Sequence, residues 1–421
     1  MKVARPRGVD DLLPDAAGAW QRLDMLARSV CHRFGFHEIR TPVFEHTDLF
    51  LRGVGEDTDI VAKEMYTFPD RAGRSLTLRP EGTAGVVRAY LEGGLQAAPQ
   101  PIKLFYASAP MFRYDRPAVG RYRQFHQTGV EVFGAASPAA DAEVITLAHA
   151  LFAEAGLTQA EVRLNSVGCP TCRPRYRERL LAYYRPHIDN LCADCRVRYE
   201  RNPLRLLDCK VPSCARLAAG APTVSEYLCE GCAAHFATLR ELLSTADVPF
   251  TADPGIVRGL DYYTRTVFEV VSGDAGALCG GGRYDGLVET LGGPSVPAVG
   301  FAIGIERLLD ALARAGGRAE PGEGPCVFVV CAGEGLLADT LRLTSRLRAA
   351  GVSAEFDLLG RGVRAQMKHA DRIRARFVMV LGEEEAERRV VAIRDMRTGV
   401  QEDVAADAVA EWVKERVSSG V

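Results

Sequence analysis

Residues 103–133, KLFYASAPMFRYDRPAVGRYRQFHQTGVEVF, read as two long strands, 103–112 and 121–133, joined by a tip that holds Pro117 and Gly120. Strands that turn directly back on one another pair antiparallel, because a parallel pair needs a crossover of a dozen or more residues. An antiparallel sheet is therefore expected in preference to a doubly wound parallel one. Side chains alternate faces along a strand. That places Arg121, Arg123, Gln127 and Glu131 on one face with Phe125 among them, and His126 on the opposite face as a structural residue. Burying arginine, glutamine and glutamate together costs several kcal/mol unless partners or ligands satisfy them. Such a face is either solvated or the floor of a ligand site, and the interleaved aromatics favour the floor.

On the N-terminal side the pattern predicts a helix over 16–34 and strands near 38–40 and 76–79. On the C-terminal side strand character returns at 266–271, followed by a glycine-rich turn and a helix from about 303. Residues from about 169 to 250 are helical and rich in cysteine, and read as an insertion. Residues 314–325, RAGGRAEPGEGP, are small, charged and rich in glycine and proline, which marks a linker. Beyond it, strands at 327–330, 354–358, 377–381 and 390–393 alternate with helices at 336–350, 363–369 and 405–417. The expected organisation is thus an α+β catalytic domain over 1–325 carrying the helical Cys-rich insertion, then a small α/β domain over 326–421.

Composition sets bounds without deciding function. The chain has 421 residues, 47% apolar and 25% charged, which suits a globular enzyme, and its formal net charge of -2 excludes a global basic field for nucleic acid. RNA contacts would need local patches. Six of the 52 basic residues are lysines, so any phosphate recognition falls to arginine, whose planar fork matches phosphate oxygens. The start, MKVARPR, has no apolar core of a targeting segment, and no apolar run reaches the roughly 18 residues of a membrane helix. A cytoplasmic location is expected.

Eight of the twelve cysteines lie between Cys169 and Cys232: Cys169 with Cys172, Cys192 with Cys195, Cys209 with Cys214, and Cys229 with Cys232. Nineteen residues separate the first two pairs, a zinc-ribbon spacing, and eight thiols suffice for two four-thiolate zinc sites. Buried reduced thiols in a small helical module are the alternative.

No Gly-Lys dipeptide occurs, so a GxxxxGK[ST] phosphate loop is absent, and Gly280–Gly286 fails the GxGxxG spacing at Asp285. If ATP binds, arginines on a sheet must hold its phosphates. The segment Leu78-Arg79-Pro80-Glu81-Gly82-Thr83, followed by the hairpin, resembles motif 2 of class II aminoacyl-tRNA synthetases in its histidyl form. Phe34-Gly35-Phe36 through Ile39-Arg40-Thr41-Pro42-Val43-Phe44-Glu45 resembles motif 1, and Ala298 through Arg307 resembles motif 3. Arg258-Gly259-Leu260-Asp261-Tyr262-Tyr263-Thr264-Arg265-Thr266 and Cys279-Gly280-Gly281-Gly282-Arg283-Tyr284-Asp285-Gly286 resemble two signatures peculiar to the histidyl-tRNA synthetase family. The likeness runs in order along essentially the whole chain.

The resemblance implies a homodimer joined through motif 1, with L-histidine, ATP accompanied by Mg, and tRNA(His) as partners. It implies that Arg113 bridges the histidine carboxylate and the ATP α-phosphate, that Arg121 and Arg307 hold the β- and γ-phosphates, and that Arg258 stands beside the α-phosphate. Glu81, Thr83 and Gln127 would bind the substrate α-amino group. Glu131 and Tyr263 would read the imidazole nitrogens, with Tyr262 and Tyr284 walling the pocket. Arg113 and Arg258 are the expected catalytic pair. The domain from 326 would bind the anticodon stem-loop through residues such as Arg361, Arg364 and Lys368. Two rivals share this fold: a non-catalytic synthetase-like regulatory subunit of histidine biosynthesis, and a class II synthetase for another amino acid. The retained C-terminal domain and Arg258 segment oppose the first, and the Tyr262-Tyr263 and Gly282-Arg283-Tyr284 signatures oppose the second.

Overall fold

An eight-stranded sheet organises most of the chain. The computed structural model describes residues 3–55, 58–118, 120–257, 259–273, 276–316 and 324–418. They fall into two units, one of residues 1–13 and 17–319, the other of 14–16 and 320–421. The first unit contains β1 (His37–Glu38), β2 (Phe44–His46), β3 (Tyr66–Pro69), β4 (Ser75–Leu78), β5 (Ile102–Phe112), β6 (Gln124–Phe133), β7 (Glu161–Ser166), β8 (Phe250–Ala252), β9 (Thr264–Val271), β10 (Ala277–Arg283) and β11 (Ala298–Gly304). The large sheet runs β1-β5-β6-β11-β10-β9-β7-β8, and β2-β4-β3 form a small second sheet. Its six central strands are antiparallel to their neighbours, and only the short edge strands β1 and β8 add in parallel. This is the antiparallel sheet that the hairpin led us to expect.

Three features depart from the sequence reading. First, β6 begins at Gln124, so Arg121 and Arg123 lie in the hairpin tip instead of on its strand face; Arg121 makes only an isolated bridge to Ala118. Second, the β5–β6 register slips between Tyr106 and Ala109, where Ser108 takes φ 43°, and this bulge reverses the alternation of β5. Leu104 and Tyr106 before it and Met111 after it consequently share one core cluster. Third, the glycine-rich turn is strand β10, between β9 and β11. Glycine is poor strand material by propensity. Here it is required by close approach, since a Cβ on Gly281 would stand 2.5 Å from the carbonyl oxygen of Gly300 and 2.6 Å from Phe301.

The sheet has one structural and one functional face. On one, Phe105, Val130, Val132, Phe268, Val299 and Phe301 pack against helices Pro14–Arg33 and Pro138–Glu154. Each such fully buried side chain contributes about 1.5–3 kcal/mol relative to exposure. Ser137 caps the second helix by accepting the Ala139 N–H at 3.2 Å, with Pro138 in its first turn. The other face carries Tyr106, Phe133, Val267 and Tyr284 and packs on helix Thr83–Glu92. Arg283 is fully buried at the end of β10. Its guanidinium pairs with Asp141, and with Asp285 at 3.0 Å, and donates to the carbonyls of Ala135 and Ser137. It is a structural clamp.

After β7 the chain forms the expected helical insertion, with helices Arg173–Tyr184, Ala193–Arg201, Pro212–Ala218 and Glu230–Thr245. It has its own small core around Tyr176, Leu180, Tyr184 and Leu206. In the second unit β12 (Val327–Cys331), β13 (Ala354–Phe356), β14 (Phe377–Leu381), β15 (Val390–Asp395) and β16 (Gln401–Ala405) form a sheet ordered β13-β12-β14-β15-β16. β13, β12 and β14 are parallel and β15 and β16 antiparallel. Helices Leu337–Ala349, Val363–Arg372, Glu383–Arg388 and Val409–Ser418 complete it. Residues 405–417 were expected as one helix; instead β16 ends at Ala405 and the helix starts at Val409. Val404 is the single buried residue of β16, too little apolar alternation to signal a strand without its pairing to β15. The linker reading over 314–325 falls largely on 317–323, outside the described residues.

Candidate active site

The functional face of the sheet floors a cleft of about 600 Å³ whose walls include Glu64, Arg113, Arg121, Gln127 and Arg307. Gln127 and Glu131 sit two residues either side of Gly129 on β6 and share the face expected of them, whereas Arg121 and Arg123 reach it only through the tip or not at all. Arg123 stacks on Tyr114 with its guanidinium 4.2 Å from the ring centroid and does not line the cleft. His126 lies on the opposite face. Its Nδ1 is 2.8 Å from Glu306 and its ring meets Trp20 edge-on at 4.8 Å.

Glu131 is the most constrained polar group of the site. It is 1% exposed. Thr83 Oγ1 donates to one carboxyl oxygen at 2.7 Å and the Tyr284 hydroxyl donates to the other. Burial pushes its carboxyl up to about 8, against the lowering effect of those two donors, and the neighbouring Glu81 raises it further. Glycines make room for it: a Cβ on Gly300 would lie 2.0 Å from its Oε2. Glu81 is also buried, and burial raises its pKa. Its two oxygens accept the backbone N–H groups of Thr83 and Ala84 at 2.8 Å each, so it caps helix Thr83–Glu92 while facing the site. The two buried carboxyl groups lie together here, and the charge of Glu81 adds to the rise at Glu131; such a pair favours a cationic neighbour.

Tyrosine rings pack beside these carboxyls. Tyr262 and Tyr263 have ring centroids 4.8 Å apart, and Tyr262 meets Tyr284 at 5.6 Å. Burial pushes the hydroxyls of Tyr262 and Tyr284 well above their usual range, so both stay neutral donors. Tyr106, which the sequence reading passed over, behaves likewise and has a buried hydroxyl with no hydrogen-bond partner. Its ring occupies space that Cβ atoms on Gly82 and Gly129 would take, at 2.6 and 2.3 Å from its hydroxyl. The signal was its position two residues from Leu104 on β5. The Gln127 Oε1 is a second buried acceptor with no partner.

Arginines gather nearer the mouth. Arg113 follows β5, donates from Nε to the Pro80 carbonyl at 2.9 Å and lies over Phe125 at 5.3 Å. Opposite it, the half-buried Glu64 has its pKa raised by burial, which outweighs the lowering by Arg113. Arg307 opens helix Ile305–Arg314 from the end of β11. Burial, and then the charge of Arg121, lower its pKa. Two arginines that repel one another across a cleft provide for an anion. Asp59, Arg198 and Arg205 also line the cleft, with Asp59 3.6 and 3.7 Å from the two guanidinium groups. The insertion brings Arg198 and Arg205 to Asp59 from more than a hundred residues away, a proximity that no local pattern in the sequence records. Arg258 lies outside the described residues.

The eight insertion cysteines converge as two groups, Cys169, Cys172, Cys229 and Cys232, and Cys192, Cys195, Cys209 and Cys214, with the sulfurs of each group within 4.8 Å of one another. The zinc-ribbon spacing joined the first two CxxC pairs, but the fold separates them. In the second unit Arg361 is paired with Asp357 at 2.6 Å, while Arg364 and Lys368 are exposed on helix Val363–Arg372. No helix among the described residues is long and apolar enough to cross a membrane.

Comparison with known proteins follows the same division. A family model described as histidyl-tRNA synthetase matches residues 8–170 and 208–308, and one described as anticodon binding domain matches 326–416. The histidine–tRNA ligase of Pelotomaculum thermopropionicum is 52% identical over 99% of both chains. That of Desulforudis audaxviator is 54% identical over 98% of this chain and 99% of its own. The crystal structure of apo histidyl-tRNA synthetase from S. aureus superposes with a TM-score of 0.83 at 39% identity, covering 98% of this chain and 100% of that one.

Proposed function

The chain belongs to the histidyl-tRNA synthetase family, and we propose how its cleft distributes the work of a histidine–tRNA ligase among named residues. The activity is ATP-dependent. The histidine carboxylate attacks the α-phosphorus and pyrophosphate leaves; a ribose hydroxyl at the 3′ end of tRNA(His) then attacks the acyl carbon and AMP leaves. The full-length ligase relatives and the anticodon-binding domain favour this over the regulatory subunit, which lacks that domain.

The observation that carries the assignment is Glu131, held by Thr83 and Tyr284 beside a second buried carboxyl at Glu81. Histidine brings an ammonium group and a ring N–H, and each relieves one of these groups. In this reading Glu131 accepts one imidazole N–H and the Tyr263 hydroxyl answers the other nitrogen. Tyr262 and Tyr284 wall the ring, and Glu81, Thr83 and Gln127 take the α-ammonium. The unpartnered Gln127 oxygen supports that last role. Buried polar groups tuned to one ligand reject analogues that leave them unpaired.

Arg113 bridges carboxylate and α-phosphate, and Arg258 is assigned as the cation beside that phosphate. Arg121 and Arg307 hold the β- and γ-phosphates at the mouth. Positive charge fixed in place stabilises the charge that develops at phosphorus without reorganisation. Mg accompanies ATP and neutralises its phosphates. The insertion cysteines serve as structural zinc ligands. We assign residues 1–325 to the catalytic domain and 326–421 to the anticodon-binding domain, with Arg361, Arg364 and Lys368 toward RNA, and place the working enzyme in the cytoplasm as a homodimer joined through the segment around Pro42. The test is ATP–pyrophosphate exchange with each of the standard amino acids. Exchange with histidine alone is expected, and exchange with another amino acid or with none overturns the reading.

A further inference from the structure

Two groups of four thiols sit at distances that suit a metal. Zinc bound tetrahedrally by thiolates at about 2.3 Å spaces its sulfurs about 3.8 Å apart. In the first group Cys169 is 3.7 Å from Cys172 and 3.8 Å from Cys229, and Cys172 is 3.8 Å from Cys232; in the second, Cys192 and Cys209 are 4.0 Å apart. A disulfide would need about 2.05 Å. Backbone N–H groups aim at the sulfurs, Cys169 N at Cys172 Sγ (3.1 Å) and Cys192 N at Cys214 Sγ (3.3 Å), as outer donors around metal ligands do. A module of roughly 60 residues has too little core to hold itself together well without staples.

The first group closes the neck of the insertion. Cys169 and Cys172 stand where the chain leaves β7, and Cys229 and Cys232 where it returns into helix Glu230–Thr245. Gly168, at φ 70°, passes so close that a Cβ there would be 2.7 Å from Cys172 Sγ. The neck touches the Tyr262–Tyr263 segment directly. Arg173, next to Cys172, donates from Nη2 to the backbone carbonyl of Tyr263. Alongside, Val167 N donates to Arg265 O at 2.7 Å and Arg265 N to Gly168 O at 2.8 Å.

We propose that the insertion binds two zinc ions in separate four-thiolate sites, and that the neck site is a positioning device: it fixes Arg173, which sets the Tyr262–Tyr263 segment against the histidine ring. The positioning half rests on the assignment of Tyr263 to histidine. The metal half stands apart from it.

The full-length protein, purified without added metal, is analysed for zinc per chain and for the KM of histidine and of ATP in pyrophosphate exchange. Wild type should carry two zinc ions per chain. Cys229→Ser and Cys209→Ser should each lose one, and Cys229→His, which restores a ligand, should return to two. Arg173→Ala should keep both ions yet lower kcat/KM for histidine by up to about 10²-fold, as a displacement of about 1 Å can. Its KM for ATP should change far less. Wild type without zinc, or single variants that lose both ions or neither, overturn the two-site assignment. Arg173→Ala with an unchanged kcat/KM for histidine overturns the positioning role. Wild type that holds zinc but supports no histidine exchange overturns the ligase reading and leaves the metal count standing.

Discussion

Replacing Glu131 by glutamine separates two effects that this carboxyl group combines. In the folded chain burial holds its proton up to about 8, whereas an unfolded glutamate releases it near 4.3. The folded state therefore binds this proton more tightly. Its contribution favours folding at low pH and is lost progressively as pH rises from about 4.3 to about 8. At 1.36 kcal/mol per pH unit the loss is at most about 5 kcal/mol. Glutamine has no such proton, so the variant should lack that decline and equal or exceed wild type in stability at pH 8.5, with the advantage gone near pH 5. Binding should move the other way. Above pH 8, where the carboxyl is ionised, a hydrogen bond to it contributes about 1.5–3 kcal/mol, so KM for histidine measured there should rise about 10- to 150-fold. KM for ATP should hold, because Arg113, Arg121 and Arg307 are untouched. Urea unfolding across pH 5–8.5 and pyrophosphate exchange with each substrate varied in turn give both readouts. Parallel stability–pH curves for the two proteins, or equal rises in both KM values, would refute the reasoning.

Gly300→Ala should cost about 1–3 kcal/mol and weaken histidine, because its Cβ would stand 2.0 Å from Glu131 Oε2 and 2.3 Å from the Val130 carbonyl oxygen; an unchanged unfolding midpoint would contradict the close packing. Arg258→Ala should lower adenylate formation by about 10²–10³-fold with the fold intact, and near-normal pyrophosphate exchange would remove Arg258 from the mechanism. Ending the chain within residues 314–325 should leave histidine activation mostly intact and raise the tRNA concentration needed for charging. Unaltered charging by a folded, dimeric truncation would dismiss the anticodon role of the second unit.

The hairpin, the antiparallel sheet and the cysteine cluster were legible in the sequence, because local periodicity and spacing record them directly. So was the face shared by Gln127 and Glu131, since alternation along one uninterrupted strand survives folding. Alternation does not survive a bulge, and the Ser108 slip lets Leu104, Tyr106 and Met111 share one core cluster, with Tyr106 opposite Gly129 on β6. The triple glycine of β10 read as a turn because propensity describes an isolated chain. In the sheet those glycines are what lets β9 and β11 approach.

Residue identity alone determined which chemistry this protein can perform: which carboxyls, tyrosines, arginines and thiols it carries, and in what order. Tertiary structure alone decided which of them act together. It paired Cys169 and Cys172 with Cys229 and Cys232 and left Cys192 and Cys195 to Cys209 and Cys214. It turned Arg283 into a clamp on Asp141 and brought Arg198 and Arg205 to Asp59. It also raised the Glu131 pKa by enclosing the carboxyl. Partners distant in sequence and removal from water are properties of packing, and a one-dimensional pattern records neither.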